Sequence, residues 1–152
     1  MNTTMNTHPY VRAYMAGIAV PTMFLLVILS LFIIARLILR IPVPIERVII
    51  FPMAAVPNMF GLWNMFYLWL RERGHISIGL HGAILPFVLA PLGYVLTSSF
   101  GFLSATSDGL VYFDTFRIGY AHLAAGFCVV LVAYYLAWKY VVNFFNAVAG
   151  IA

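Results

Sequence analysis

Charge is scarce in this chain. Of 152 residues, only 8% are Asp, Glu, Lys or Arg, whereas 64% are hydrophobic. Soluble domains carry about 25% charged residues. A chain so poor in charge cannot cover itself against water, which excludes an ordinary soluble domain despite a suitable length. Acidic residues are scarcer still: Glu46, Glu72, Asp108 and Asp114 are all there are, scattered over segments that connect apolar runs. Membrane enzymes usually place carboxylates, or clustered His and Asp, in or beside their spans, so this poverty argues against an enzyme. There is no nucleophile–His–Asp spacing, no HExxH and no glycine-rich phosphate loop. The single cysteine, Cys128, excludes an internal disulfide and any multi-cysteine metal site. No metal site is expected. The formal net charge is +4, but no basic run carries interleaved exposed aromatics, which argues against nucleic acid. Arg and Lys stand instead at the ends of apolar runs, where they meet lipid headgroups.

What the chain has is apolar length, with a mean hydropathy of +1.03. Four charge-free runs, Ala13–Ala35, Val48–Leu70, Ile76–Ser98 and Ile118–Trp138, hold 23, 23, 23 and 21 residues. A helix of about 20 residues crosses about 30 Å of hydrocarbon. Lipid offers no partner to backbone groups, so the spans are expected to be helices, and the alternation of a membrane barrel is missing. The first run is longer than the core of a secretory signal and has no small-x-small cleavage site, so it is expected to be retained. The fold class expected is an all-α integral membrane protein: four transmembrane helices in an antiparallel, proline-kinked bundle. A single membrane domain covers 1–152, with spans at about 13–35, 48–70, 76–98 and 118–138. Kinks are expected at Pro21, Pro52, Pro57, Pro86 and Pro91.

The connecting segments add detail. Pro42 and Pro44 break the first helix, and Pro44 suits the opening turn of the second, with Glu46 at the positive helix end. The link "RERGH" is so short that the second and third spans must be antiparallel neighbours. The longest link, "FGFLSATSDGLVYFDTFR", carries a turn signal at "SDG", with Asp108 as the turn residue. Charge does not orient the chain. Arg12, Arg71, Arg73 and Lys139 fall on one side, and Arg36, Arg40, Arg47 and Arg117 on the other. The early cluster of Arg36, Arg40 and Arg47 favours termini outside, whereas export of the long Ser/Thr/Asp link would put the termini inside, which is the orientation expected. The expected location is a bacterial inner (cytoplasmic) membrane.

In the third span Gly79, Pro86 and Gly93 recur every seven residues, with Ala83 and Ala90 between them on the same face. Lipid tails give helices no hydrophobic reason to associate, so close backbone approach through such small residues is their main glue. His81 lies on another face and reads as a headgroup-directed side chain, a satisfied hydrogen bond or a ligand. In the fourth span His122 shares the small face of Gly119, Gly126, Ala133 and Ala137, which is expected to hold the bundle, while the opposite face of Tyr120, Phe127, Leu131, Tyr134 and Trp138 is expected to look outward to lipid or to a partner subunit. In the second, Asn58 and Asn64 sit with Pro57 and Gly61 on about a third of the circumference. Intramembrane asparagines on one face suit interhelical hydrogen bonds, or a small cavity for a quinone-like headgroup.

These features point to a non-catalytic accessory or scaffolding subunit of a larger membrane complex, packing through small-residue faces. Its expected partners are membrane lipids and other membrane subunits or copies of itself. Two alternatives are a cofactor-binding subunit and a small oligomeric transporter or channel. The first would hold a haem or chlorophyll-type tetrapyrrole, or a quinone, at His81 or His122. A shared bis-histidine haem is not expected, because the two histidines begin antiparallel spans and lie towards opposite membrane faces. A transporter needs a group whose charge changes, for which only these two histidines qualify.

Overall fold

The computed structural model describes residues 8–41, 45–112, 114 and 116–151, with backbone alone for 45–54. It is mostly helical. The elements are α1 (Pro9–Leu37), α2 (Ile45–Arg71), α3 (Ile78–Ser99), β1 (Leu103–Ala105), β2 (Gly109–Tyr112), β3 (Phe116–Gly119), α4 (Tyr120–Leu136), a π-helical segment (Ala137–Val142) and α5 (Asn143–Val148). Among the described residues, three helical stretches are long and apolar enough to cross a membrane: Pro9–Leu37, Ile78–Ser99 and Tyr120–Val148. The expected second span, 48–70, falls within α2, but its opening residues lie outside the described side chains. So do the readings made for Pro42, Pro44, Glu46, Arg47 and Pro52.

The chain divides into two compact units. Unit 1 joins Met1–Ile76 to Tyr140–Ala152, and unit 2 is Ser77–Lys139. In unit 1, α1 opens with Pro9 in its first turn, where the missing N–H has no intrahelical acceptor to serve, and carries Arg36 in its last turn, where a cation suits the negative helix end. Pro21 stands buried inside α1. It removes one rung of the helix ladder. Nearby, the Thr22 and Ser30 hydroxyls donate back to the carbonyls of Ile18 and Leu26 at 2.7 and 2.9 Å, so neither is left unpaired in apolar surroundings. A small core forms from Ala13, Leu68 and Ile151, with Tyr10, Met65 and Ala149 packed against it.

In unit 2, the Ser77 hydroxyl caps α3 by accepting from the Leu80 N–H at 3.3 Å. The buried residues of α3 are Gly79, His81, Gly82, Leu85 and Pro86, all in its first half. α3 packs on α4, for example through an edge-to-face pair of Phe87 and Phe127 with centroids 5.1 Å apart.

The all-α expectation needs correction here. The link after α3 forms a three-stranded antiparallel sheet in the order β1-β2-β3. Leu103 pairs with Tyr112, Val111 with Arg117, and Gly109 with Gly119. The turn predicted at Asp108 joins β1 to β2, and it is closed by the Thr106 N–H and hydroxyl, both donating to the Gly109 carbonyl at 2.8 and 2.9 Å. Gly109 is required where β2 meets β3, since a methyl there would lie 2.2 Å from the Ile118 carbonyl oxygen. β3 takes Ile118 and Gly119, which the sequence assigns to the fourth span. At the other end, helical structure continues past Trp138 to Val148.

Candidate functional site

Three places gather the polar side chains singled out above, and a fourth is an apolar groove. The first is an amide knot in unit 1. Asn64 and Asn146 are both buried, at 1% and 3% exposure. The Asn64 side-chain nitrogen donates to the Ala13 carbonyl and to Asn146 Oδ1, both at 2.7 Å. Asn146 donates back to Asn64 Oδ1 at 3.1 Å. Helix positions explain the meeting. Asn64 lies on the face of α2 that touches α1, and α5 brings Asn146 against the same junction. The backbones come this close because Gly17 of α1 crosses Gly61 of α2. A methyl on Gly17 would lie 2.6 Å from the Phe60 carbonyl oxygen and 2.9 Å from Gly61 Cα. One on Gly61 would lie 2.5 Å from the Tyr14 ring. Asn58, on the same helix as Asn64, is exposed, and its Oδ1 accepts a short hydrogen bond from the Tyr14 hydroxyl.

The second place is His81 in unit 2. Its imidazole is 1% exposed and meets the Trp138 ring edge-on, centroids 5.6 Å apart at 68°. Gly82 is the seat of that indole: a Cβ added there would lie 2.0 Å from Trp138 Cγ. Gly79 seats Tyr135 in the same way, at 2.8 Å. The space beside His81 that its small neighbours open is thus filled by a ring of the same chain. The aromatic face of the fourth span is therefore not outward as expected: Trp138 is buried and Phe127, Leu131 and Tyr134 are half-buried, because the glycines of α3 admit rings, while Gly126 and Ala133 are exposed.

The third is His122. It is exposed in the first turn of α4 and lines a cavity of about 550 Å³ with Asp108, Arg117, Ile118 and Gly119. The Tyr120 hydroxyl donates to the Thr106 carbonyl at 2.8 Å, which ties the start of α4 to the sheet. Along the helix, His122 and Trp138 are separated by about 24 Å at 1.5 Å per residue. A ligand of His122 is therefore remote from His81.

The fourth is the outer surface of α4, where Cys128, Val129, Val132, Ala133 and Leu136 line an apolar groove of about 430 Å³. The remaining small residues divide. In α3, Pro86 is buried, Ala83 and Gly93 are half-buried and Ala90 is exposed. A methyl on Gly93 or on Gly126 would meet nothing within 4 Å, while one on Gly119 would touch the Asp108 carbonyl oxygen and His122 Nδ1 at 3.6 Å. Among the described residues no three His, Cys, Asp or Glu side chains converge as a metal ion would require.

Two members of the unit 1 junction escape the sequence reading. Gly17 had a visible signal, because Ala13, Gly17 and Pro21 repeat every four residues. Asn146 lies beyond Trp138, where the fourth charge-free run ends. The chain matches no protein-family model, no curated protein and no solved structure.

Proposed function

We propose that this chain is an integral membrane protein of four antiparallel spans, α2 providing the fourth, and that it serves as a non-catalytic accessory or scaffolding subunit of a larger membrane assembly. The observation that carries this reading is α4. Every one of its residues is described and none is buried. Much of the uncovered surface is small: Ala121, Ala124, Ala125, Gly126, Cys128 and Ala133 are all exposed. Lipid tails gain little from a glycine, whereas another helix can approach it closely and gain van der Waals contact along its length. An apolar helix that α3 covers on one side only, and whose exposed surface is smooth, suits a partner helix.

The test is gentle purification from the native membrane followed by native mass spectrometry. A stoichiometric membrane partner is expected. Gly126→Leu is expected to lose that partner while leaving the thermal unfolding of the isolated chain unchanged, since nothing in the chain lies within 4 Å of the added group. A chain recovered alone and monomeric from native membrane overturns the reading.

One observation favours a second reading, a subunit that ligates a tetrapyrrole or quinone-like group. His122 is exposed beside a cavity, and Gly126, one turn further along the helix, faces open space. This choice falls on His122, because Trp138 already covers His81. Visible absorption of the protein from its native membrane, lost in His122→Ala with assembly intact, would establish it. A colourless preparation without bound quinone would exclude it.

A further inference from the structure

Unit 1 has a groove of about 280 Å³ between the start of α1 and α5. It is lined by Arg12, Met15, Ala16, Phe145, Val148 and Ala149. Five of these six are apolar and the sixth is a cation. Arg12 Nε is buried without a hydrogen-bond partner among the described residues. Its Nη1 lies beside Gly150, 3.4 Å from where a methyl on that glycine would stand. Neighbouring arginines of the unit are engaged otherwise. Arg71 Nη1 donates to the Ile151 carbonyl at 2.8 Å, and the Arg73 guanidinium lies 3.9 Å from the Trp69 ring centroid. The Arg71 bond also shows that the end of α2 and the residues following α5 lie together.

From this geometry we infer that the groove is a site for one anionic phospholipid, its phosphate on Arg12 and an acyl chain along Met15, Ala16, Phe145, Val148 and Ala149. The inference rests on the membrane reading above. A buried guanidinium N–H without an acceptor is costly, and a phosphate oxygen supplies the acceptor in a geometry that the planar guanidinium matches. The rest of the lining offers no polar group, which suits hydrocarbon. Arg12 lies just inside the start of α1, next to Tyr10. That is the depth at which arginine and tyrosine meet headgroups in a spanning helix. Free phosphate would use the arginine alone and leave the apolar lining empty. A protein helix would need a carboxylate of its own to do the same work.

The experiment uses the full chain in non-ionic detergent, titrated with dioleoyl phosphatidylglycerol or dioleoyl phosphatidylcholine and read by native mass spectrometry. One phosphatidylglycerol is expected to be retained per chain, in preference to phosphatidylcholine by about tenfold. Arg12→Gln is expected to abolish the preference. Arg12→Lys, which keeps the charge and loses the fork, is expected to reduce it and serves if Arg12→Gln does not fold. Ala149→Leu, which fills the groove and leaves the charge, is expected to weaken retention of both lipids. Equal retention of the two lipids overturns the inference, as does a preference that survives Arg12→Gln. Loss of phosphatidylglycerol to millimolar inorganic phosphate would make this a plain anion site. Dimers that dissolve in Arg12→Gln without lipid preference would assign the groove to a second copy. Alkaline extraction of vesicles made from the same two lipids separates the two levels of failure. A chain washed out of them refutes the membrane reading as well, whereas a chain that stays integrated without preference refutes only the lipid site.

Discussion

In unit 1 the crossing at Gly17 is backbone to backbone. A methyl on Gly17 would strike the Phe60 carbonyl, and the amides of Asn64 and Asn146 close over the same junction. In unit 2 the helices meet ring to backbone, with Trp138 and Tyr135 seated on Gly82 and Gly79 and His81 against the indole. Glycine serves both, but what lies above it differs. One neighbour is main chain and cannot move without moving a helix. The other is a side chain, which can be cut away. Helix association in lipid, where burial of apolar surface gives little, depends on such close contact and on interhelical hydrogen bonds.

The contrast is broken most severely at Gly17. Gly17→Leu is expected to cost about 3 kcal/mol or more, because overpacking against main chain has no local relief. Phe60→Ala should not rescue it, since the atom struck belongs to the Phe60 backbone. Thermal unfolding in detergent reads both variants. The next largest effect is at Gly82. Gly82→Ala is expected to cost about 2 kcal/mol. Here rescue should succeed once the whole side chain is removed: a Trp138→Gly background also takes away the Cβ that would lie 2.3 Å from the added methyl, and in it the same substitution should cost far less, a coupling that a double-mutant cycle measures. If both glycines behave alike in the rescue test, the distinction between the two units fails.

The amide knot sharpens the comparison further. Asn64→Leu leaves the Asn146 amide and the Ala13 carbonyl without their partner, and about 2 kcal/mol is expected to be lost. Asn64→Leu/Asn146→Leu is expected to cost less than the sum of its singles, because neither amide is then stranded. The smallest effect belongs to Gly93. With nothing within 4 Å of its missing Cβ, Gly93→Ala is expected to stabilise α3 by less than about 1 kcal/mol, through helix propensity alone. A marked loss on denaturation would mean that Gly93 is covered after all.

Much of the helical architecture was legible because apolar length is a long-range signal that single residues cannot disguise. The runs 13–35, 76–98 and 118–138 each fall on a helix that is long and apolar enough to span. The sheet was not legible, for its strands have three or four residues each. Two or three alternations between Gly, Ser, Thr and Asp cannot be told from a loop. Composition also hid the far end of the fourth helix. Lys139 ends the charge-free run, but one lysine does not end a helix, and the lysine is exposed there. Ending the span at Trp138 put Asn146 out of view, so the polarity of Asn64 was visible and its partner was not. His81 shows the opposite limit. Its spacing from Gly79 turns it away from the small stripe, yet the buried face of α3 is wide enough to include both, because Gly82 admits an indole between them.

Unit 1 is discontinuous, and this dictates an order of assembly. Asn146 leaves the ribosome only after all of unit 2 has been made. Until then α1 and α2 can cross at their glycines, but the Asn64 amide has only the Ala13 carbonyl to bond. The last helix therefore acts as a latch on the first two, and a chain that stops between Lys139 and Asn146 leaves a half-made unit with the Asn64 amide still open.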